Sequence, residues 1–99
     1  MSFTIEKKND SPAVLALAGR LDTVTAPELE ARLTELLPTA ESLTFDLEKL
    51  EYISSAGLRV ILKVQKALSG KAGLKLVNVP ESVMEVFDIT GFSDFLTIE

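Results

Sequence analysis

The sequence predicts an α/β domain: a mixed β-sheet of about five strands, opened by an antiparallel hairpin, with three or four helices packed against it. Three observations carry this expectation. Segments of period-two hydrophobicity alternate with segments of helical period. Clusters rich in Gly, Pro, Asn, Asp and Ser separate them. Strands that alternate with helices pair in parallel through crossovers, whereas the first two candidate strands have no helix between them and form a hairpin.

Phe3, Ile5 and Lys7 share one side of an alternating pattern, so residues 2–7 read as a half-buried strand. Asn9-Asp10-Ser11-Pro12 is a turn cluster. Residues 13–18 are continuously apolar and suit a strand buried on both faces. Gly19 to Val24 reads as a loop. Thr25-Ala26-Pro27-Glu28 then fits a capping box, with Thr25 as the cap and Glu28 reaching back. Leu29, Leu33, Leu36 and Leu37 follow at helical spacing until Pro38. Leu43, Phe45 and Leu47 mark a third strand, and residues 48–54 read as a short connection. A second helix runs from Ser55 to about Leu68, and residues 74–77 form a fourth strand. Pro80 opens a third helix carrying Val83, Met84, Val86 and Phe87, with Gly91 as its stop. Phe95, Leu96 and Ile98 give a last strand, so residues 1–99 are expected to form one domain.

Composition excludes several chemistries. The 99 residues contain neither cysteine nor histidine. Disulfides, Ser-His-Asp and Cys-His catalysis are therefore absent, and zinc sites are disfavoured. Ten basic residues against 15 acidic ones give a net charge of -5, which opposes nucleic-acid binding through bulk charge. No apolar run approaches the roughly 20 residues of a membrane span, so no direct membrane insertion is expected. The first residues lack a signal-peptide core, and a cytoplasmic location is expected.

The most informative stretch runs from Asp46 to Leu62: a strand, a short connection, two serines and the start of a helix. Helix starts present unpaired N–H groups and the positive end of the macrodipole. Ser54 and Ser55 read either as a plain helix cap or as a modification site, because a phosphate would be stabilised by the same groups. Gly57 leaves the first turn open to close approach. The nucleophile elbow of serine hydrolases does not fit, since Ile53 stands where that motif needs glycine. At 100° per residue, Val60, Ile61, Val64 and Leu68 share one face, and Arg59, Lys63 and Lys66 form a basic stripe on the other. Leu58 and Leu62 flank that stripe. It reads either as an ordinary solvated face or as a partner surface with Leu58 and Leu62 as contacts and Arg59 and Lys63 steering. Arg59 lies one turn after Ser55, within reach of a phosphate there. Asp22 and Thr23 read as loop chemistry ahead of a helix, Asp46 as support for the serine loop, and Phe87 and Phe92 as core.

The chain resembles the STAS domain, the module named for sulphate transporters and anti-sigma factor antagonists. The resemblance rests on Gly19-Arg20-Leu21-Asp22 with Thr25-Ala26, on Asp46-Leu47-Glu48 through Ile53-Ser54-Ser55-Ala56-Gly57-Leu58, and on residues 73–80 and 87–92. It implies the STAS fold and the role of an anti-sigma factor antagonist. The implied partners are an anti-sigma factor that is also a serine kinase of the GHKL type, using ATP and magnesium, and a PP2C-type phosphatase. By position in the motif the phosphoacceptor falls on Ser55, with Ser54 as the alternative because it stands where many members have Asp. The resemblance implies a partner surface of Asp22, Thr23, Ser54, Ala56, Gly57, Leu58, Arg59 and Leu62, no cofactor and no enzymatic activity. The rival readings are a non-switching STAS subunit of a transport complex or stress-signalling scaffold, an enzyme, and a nucleotide or lipid binding module, the last without a Gly-rich phosphate loop to support it.

Overall fold

The computed structural model describes residues 3–10 and 13–99. Strands β1 (Thr4–Asp10) and β2 (Ala13–Leu21) are followed by helix α1 (Ala26–Leu36), strand β3 (Ser42–Ile53), helix α2 (Ser55–Ala67), strand β4 (Gly73–Val77), helix α3 (Glu81–Thr90) and strand β5 (Thr97–Ile98). Single 3-10 turns cover residues 37–39 and 92–94. The sheet order is β1-β2-β3-β4-β5. The β1–β2 pair is antiparallel and the other three are parallel. Element order, the mixed sheet and the opening hairpin thus agree with the sequence expectation. Of the expected strand over residues 2–7 and the turn over 9–12, Ser2, Ser11 and Pro12 lie outside the described residues, while β1 continues through Asn9 and Asp10.

Three local expectations are corrected. Strand β2 is buried on one face only: Leu15, Leu17 and Leu21 are sealed, whereas Val14, Ala16 and Ala18 are half-buried. Small side chains on that second face explain the continuous apolar run without a covering layer. Gly19 to Leu21, expected in a loop, extends β2. Residues 48–53, read as a connection, extend β3 to twelve residues. Ala16 pairs with Asp46 but Ala18 with Lys49, and Gly19 pairs with Leu50 but Arg20 with Tyr52. Each step inserts one extra residue into β3, so two bulges move its buried positions to Leu47, Leu50 and Ile53. That spacing of three conceals the strand from a period-two reading.

The sealed side chains of β2 and β3 form one core with Leu29 and Leu33 of α1, Ile61 and Val64 of α2, and Val83 and Phe87 of α3. Phe45 and Phe87 are its largest fully buried members. Phe92 packs at the edge of that core, as expected, whereas Phe95 is 44% exposed and lies before β5, which is only two residues long. Gly91 ends α3 in the left-handed region at φ 82°, as its position in the sequence suggests.

Asp46 lies inside β3, not at its end, and it ties three strands together. Its Oδ1 accepts from the Glu48 N–H at 3.1 Å, within the bulge, and from Asn78 Nδ2 at 3.1 Å, just beyond β4. Its Oδ2 accepts from Lys8 Nζ at 3.4 Å in β1. Its support for the serine loop is therefore indirect, through the bulge that carries β3 forward. Burial raises the Asp46 pKa, but the Asn78 amide, the Glu48 N–H and Lys8 outweigh it, and the net result lies below the ordinary carboxylate value.

Gly57 sits in the first turn of α2 and faces inward. A Cβ there would lie 2.8 Å from Leu21 Cγ and 2.9 Å from Ile53 Cγ1. Both neighbours are buried and Leu21 is fully so, which leaves them little room to yield. Gly57 thus serves close packing of α2 onto the ends of β2 and β3, and the reading of it as an open point for a partner is corrected.

Two predictions follow from these contacts. Gly57→Ala should lower stability by about 1–3 kcal/mol in urea unfolding, because the added methyl overpacks a sealed site. Asp46 binds its proton less readily folded than unfolded. Its stabilising contribution is therefore full above the ordinary carboxylate range and is lost as pH falls through the lower native value. The native chain should lose stability on acidification below about pH 4, and Asp46→Asn should lose less over that window while being weaker at pH 7. Thermal unfolding at a series of pH values reads both effects.

Candidate functional site

The chain leaves β3 at Ile53 and enters α2 with only Ser54 between. Ser54 has extended backbone (φ -100°, ψ 177°) and is the N-cap; its side chain accepts from the Gly57 N–H at 3.4 Å. Its own N–H donates to the Leu21 carbonyl at 2.9 Å, fixing the helix start to the end of β2. Ser55 is the first helical residue and is exposed. The two serines, equivalent in composition, are thus separated by geometry: Ser54 closes the helix end and Ser55 faces solvent.

The loop before α1 stands beside this helix start, because β2 and β3 end in register: Leu21 pairs with Ile53. Asp22 organises the loop. Its Oδ1 accepts from the Val24 N–H at 3.0 Å and the Thr25 N–H at 3.1 Å. The Thr25 hydroxyl donates to the Arg20 carbonyl at 2.7 Å and accepts from the Asp22 N–H at 2.8 Å. The expected capping box is therefore corrected: Thr25 precedes α1 in helical backbone with no side-chain cap bond, because its hydroxyl is turned back to the strand end. The Thr25 N–H is the largest influence on Asp22, and with the Val24 N–H, the Thr25 hydroxyl and Arg20 it holds the carboxyl below its ordinary pKa against a smaller effect of burial.

Between α1 and α2 runs a groove of about 320 Å³ lined by Thr23, Ala26, Pro27, Glu30, Ala56, Arg59, Val60 and Lys63. It begins at the residue after Ser55. Lys63 of α2 pairs with Glu30 of α1 across it. Arg59 is exposed.

The structure brings together Asp22, Thr23, Ser54, Ser55, Ala56 and Arg59 at one end of the molecule. It separates Leu58 from them: Leu58 is 6% exposed and belongs to the core, so it is not a surface contact. Gly57 is buried for the packing reason given above. Leu62 is half-buried and lines no part of the groove. A helical wheel places Leu58 at the edge of the stripe, but the first turn of α2 is seated on the ends of β2 and β3, and Leu58 joins the buried core there. The expectations for Val60, Ile61, Val64 and Leu68 as the buried face hold.

Two surface features at this end carried little sequence signal. The Arg20 guanidinium stacks 4.2 Å from the ring centroid of Tyr52, its neighbour across the β2–β3 ladder, and its Nε lies 3.9 Å from Asp22 Oδ2. Val24, 78% exposed, projects from the adjoining loop. Arg20 and Tyr52 are 32 residues apart in sequence, and only the parallel register joins them. Among the described residues no helix is long and apolar enough to cross a membrane.

Comparison with known proteins fits this architecture. Residues 4–99 match the STAS domain family. The chain is 33% identical over 93 residues to the anti-sigma-B factor antagonist of Bacillus subtilis, covering 93% of this chain and 85% of the relative. It is 40% identical over 94 residues to BtrV of Bordetella bronchiseptica, named as a candidate anti-sigma factor antagonist, covering 93% and 80%. Among solved structures, an anti-sigma factor antagonist from Mycobacterium paratuberculosis superposes with a TM-score of 0.88 at 23% identity, covering 98% of this chain and 85% of the other. The anti-sigma factor antagonist SpoIIAA in its unphosphorylated form gives 0.80 at 22% identity, covering 99% and 88%. At those identities the two structures speak to the fold, and the family follows from the sequence match along nearly the whole chain: it belongs to the STAS domain family.

Proposed function

We propose that this chain is an anti-sigma factor antagonist whose binding is switched off by phosphorylation of Ser55. The observation that carries the proposal is the position of Ser55, exposed as the first residue of α2 and one residue from the α1–α2 groove. Relatives named anti-sigma-B factor antagonist support the role, and SpoIIAA, which shares the fold, has been solved in both unphosphorylated and phosphorylated forms.

In this reading the unphosphorylated chain docks on an anti-sigma factor through the Asp22–Val24 loop, Ala56, Arg59 and the groove, and the sigma factor is released. The anti-sigma factor is also a GHKL-type serine kinase. The Ser55 hydroxyl oxygen attacks the γ-phosphorus of magnesium-bound ATP, its proton leaves to a base on the kinase, and ADP departs. A PP2C-type phosphatase hydrolyses the ester and restores the binding form. The chain is then a binding protein and a substrate, not a catalyst, and it works in the cytoplasm, where ATP and the sigma factor are.

The physics requires no change of shape. A phosphate adds about -1.5 to -2 charge at neutral pH. Docking would have to strip water from that charge, and burying it without a partner is heavily unfavourable. A net penalty of about 3–4 kcal/mol lowers affinity by roughly 10² to 10³. Ser55 suits the acceptor role better than Ser54, whose side chain is committed to the Gly57 N–H and which is half-buried.

Incubation with the GHKL kinase of the same genome and magnesium ATP, followed by peptide mass spectrometry, tests the assignment. One phosphate on Ser55 is expected, with Ser55→Ala taking up none and Ser54→Ala still modified. Phosphate on Ser54, or none at either serine, contradicts it, and the second result would favour a non-switching scaffold.

A further inference from the structure

We infer that Arg59 is an exchangeable cation of this site, held by an acidic group of the docked partner before modification and captured by the Ser55 phosphate afterwards. The inference rests on the proposed switch at Ser55 and specifies how it is read.

Three observations place Arg59 in this role. It follows Ser55 by four residues, one helical turn and about 6 Å along the axis. Side chains on a helix lean toward its amino end, which from Arg59 is the direction of Ser55. Lys63 is a further turn away, about 12 Å along the axis, and its charge is already met by Glu30 across the groove. Among the described residues Arg59 has no carboxylate within salt-bridge distance, although the chain carries 15 acidic side chains. It is therefore the groove cation left with its charge unmatched, in the wall nearest the phosphoacceptor.

An unmatched arginine at the rim of a docking surface suits a carboxylate on the partner. A phosphate on Ser55 presents more charge at closer range and accepts the two-pronged donation of a guanidinium. Phosphorylation then acts twice: it places a charge in the interface and withdraws a cation that the partner had used. Glu30 makes the exchange selective by keeping Lys63 occupied.

The test uses full-length protein with phosphoserine incorporated at position 55, so that it needs no kinase. Phosphorus-31 NMR titration reads the second phosphate pKa in the isolated chain. Arg59→Gln should raise that pKa by at least about 0.3 pH unit relative to the native chain. Arg59→Lys should fall between the two, and Lys63→Gln should leave it unchanged. In the unphosphorylated chain, Arg59→Gln should weaken binding to the anti-sigma factor about three- to tenfold. An unchanged pKa in Arg59→Gln, or an equal shift in Lys63→Gln, overturns the inference, as does unweakened binding by unphosphorylated Arg59→Gln. The titration involves no partner, so failure of the switch itself would appear separately, as native phosphorylated protein that still binds.

Discussion

The first turn of α2 is seated on the ends of two strands, and the position of every residue at the site depends on that seat. The Ser54 N–H is bonded to the Leu21 carbonyl, and Gly57 lies against Leu21 and Ile53 with no space for a methyl group. Together these contacts fix both the rotation and the depth of the helix. Gly57 and Leu58 are turned inward, and Ser55 and Arg59 outward. The strands are equally committed, because the two bulges of β3 must carry it to the level of Leu21 before the chain turns. A rigid scaffold thus presents one hydroxyl in a fixed place, and a modification that adds only charge can act without moving the backbone.

The loop that lies alongside is held by a different device. Asp22 gathers the Val24 and Thr25 N–H groups, and the Thr25 hydroxyl returns to the end of β2. The loop is therefore ordered by its own hydrogen bonds, while Val24 and Tyr52 remain exposed beside it. The Arg20 guanidinium over Tyr52 holds that ring in place.

Much of the fold was legible in the sequence because its signals were local. Alternating Leu43, Phe45 and Leu47, the leucines of α1, the buried face of α2 and the Gly91 stop each follow from periodicity or backbone freedom. The continuation of β3 through residues 48–53 was not legible, since bulges break the period by which strands are read. The capping box at Thr25 failed for a related reason. Its hydroxyl had two possible sets of partners, and the strand end prevailed over the helix start. At the site, the motif placed both serines at a helix start, but only coordinates separate the cap from the exposed hydroxyl. Leu58 was misread because its burial depends on what α2 rests against, which no helical wheel contains. Arg20 with Tyr52, and Glu30 with Lys63, are partnerships of register and helix packing that sequence distance hides.

The proposed switch requires that one phosphate on an outward hydroxyl be enough to prevent docking. Isothermal calorimetry of the anti-sigma factor against the unmodified chain and against the chain carrying phosphoserine at position 55 addresses this most directly. The account predicts a measurable complex for the first and affinity lower by two orders of magnitude or more for the second, with unchanged circular dichroism. Equal affinities for the two forms would contradict it.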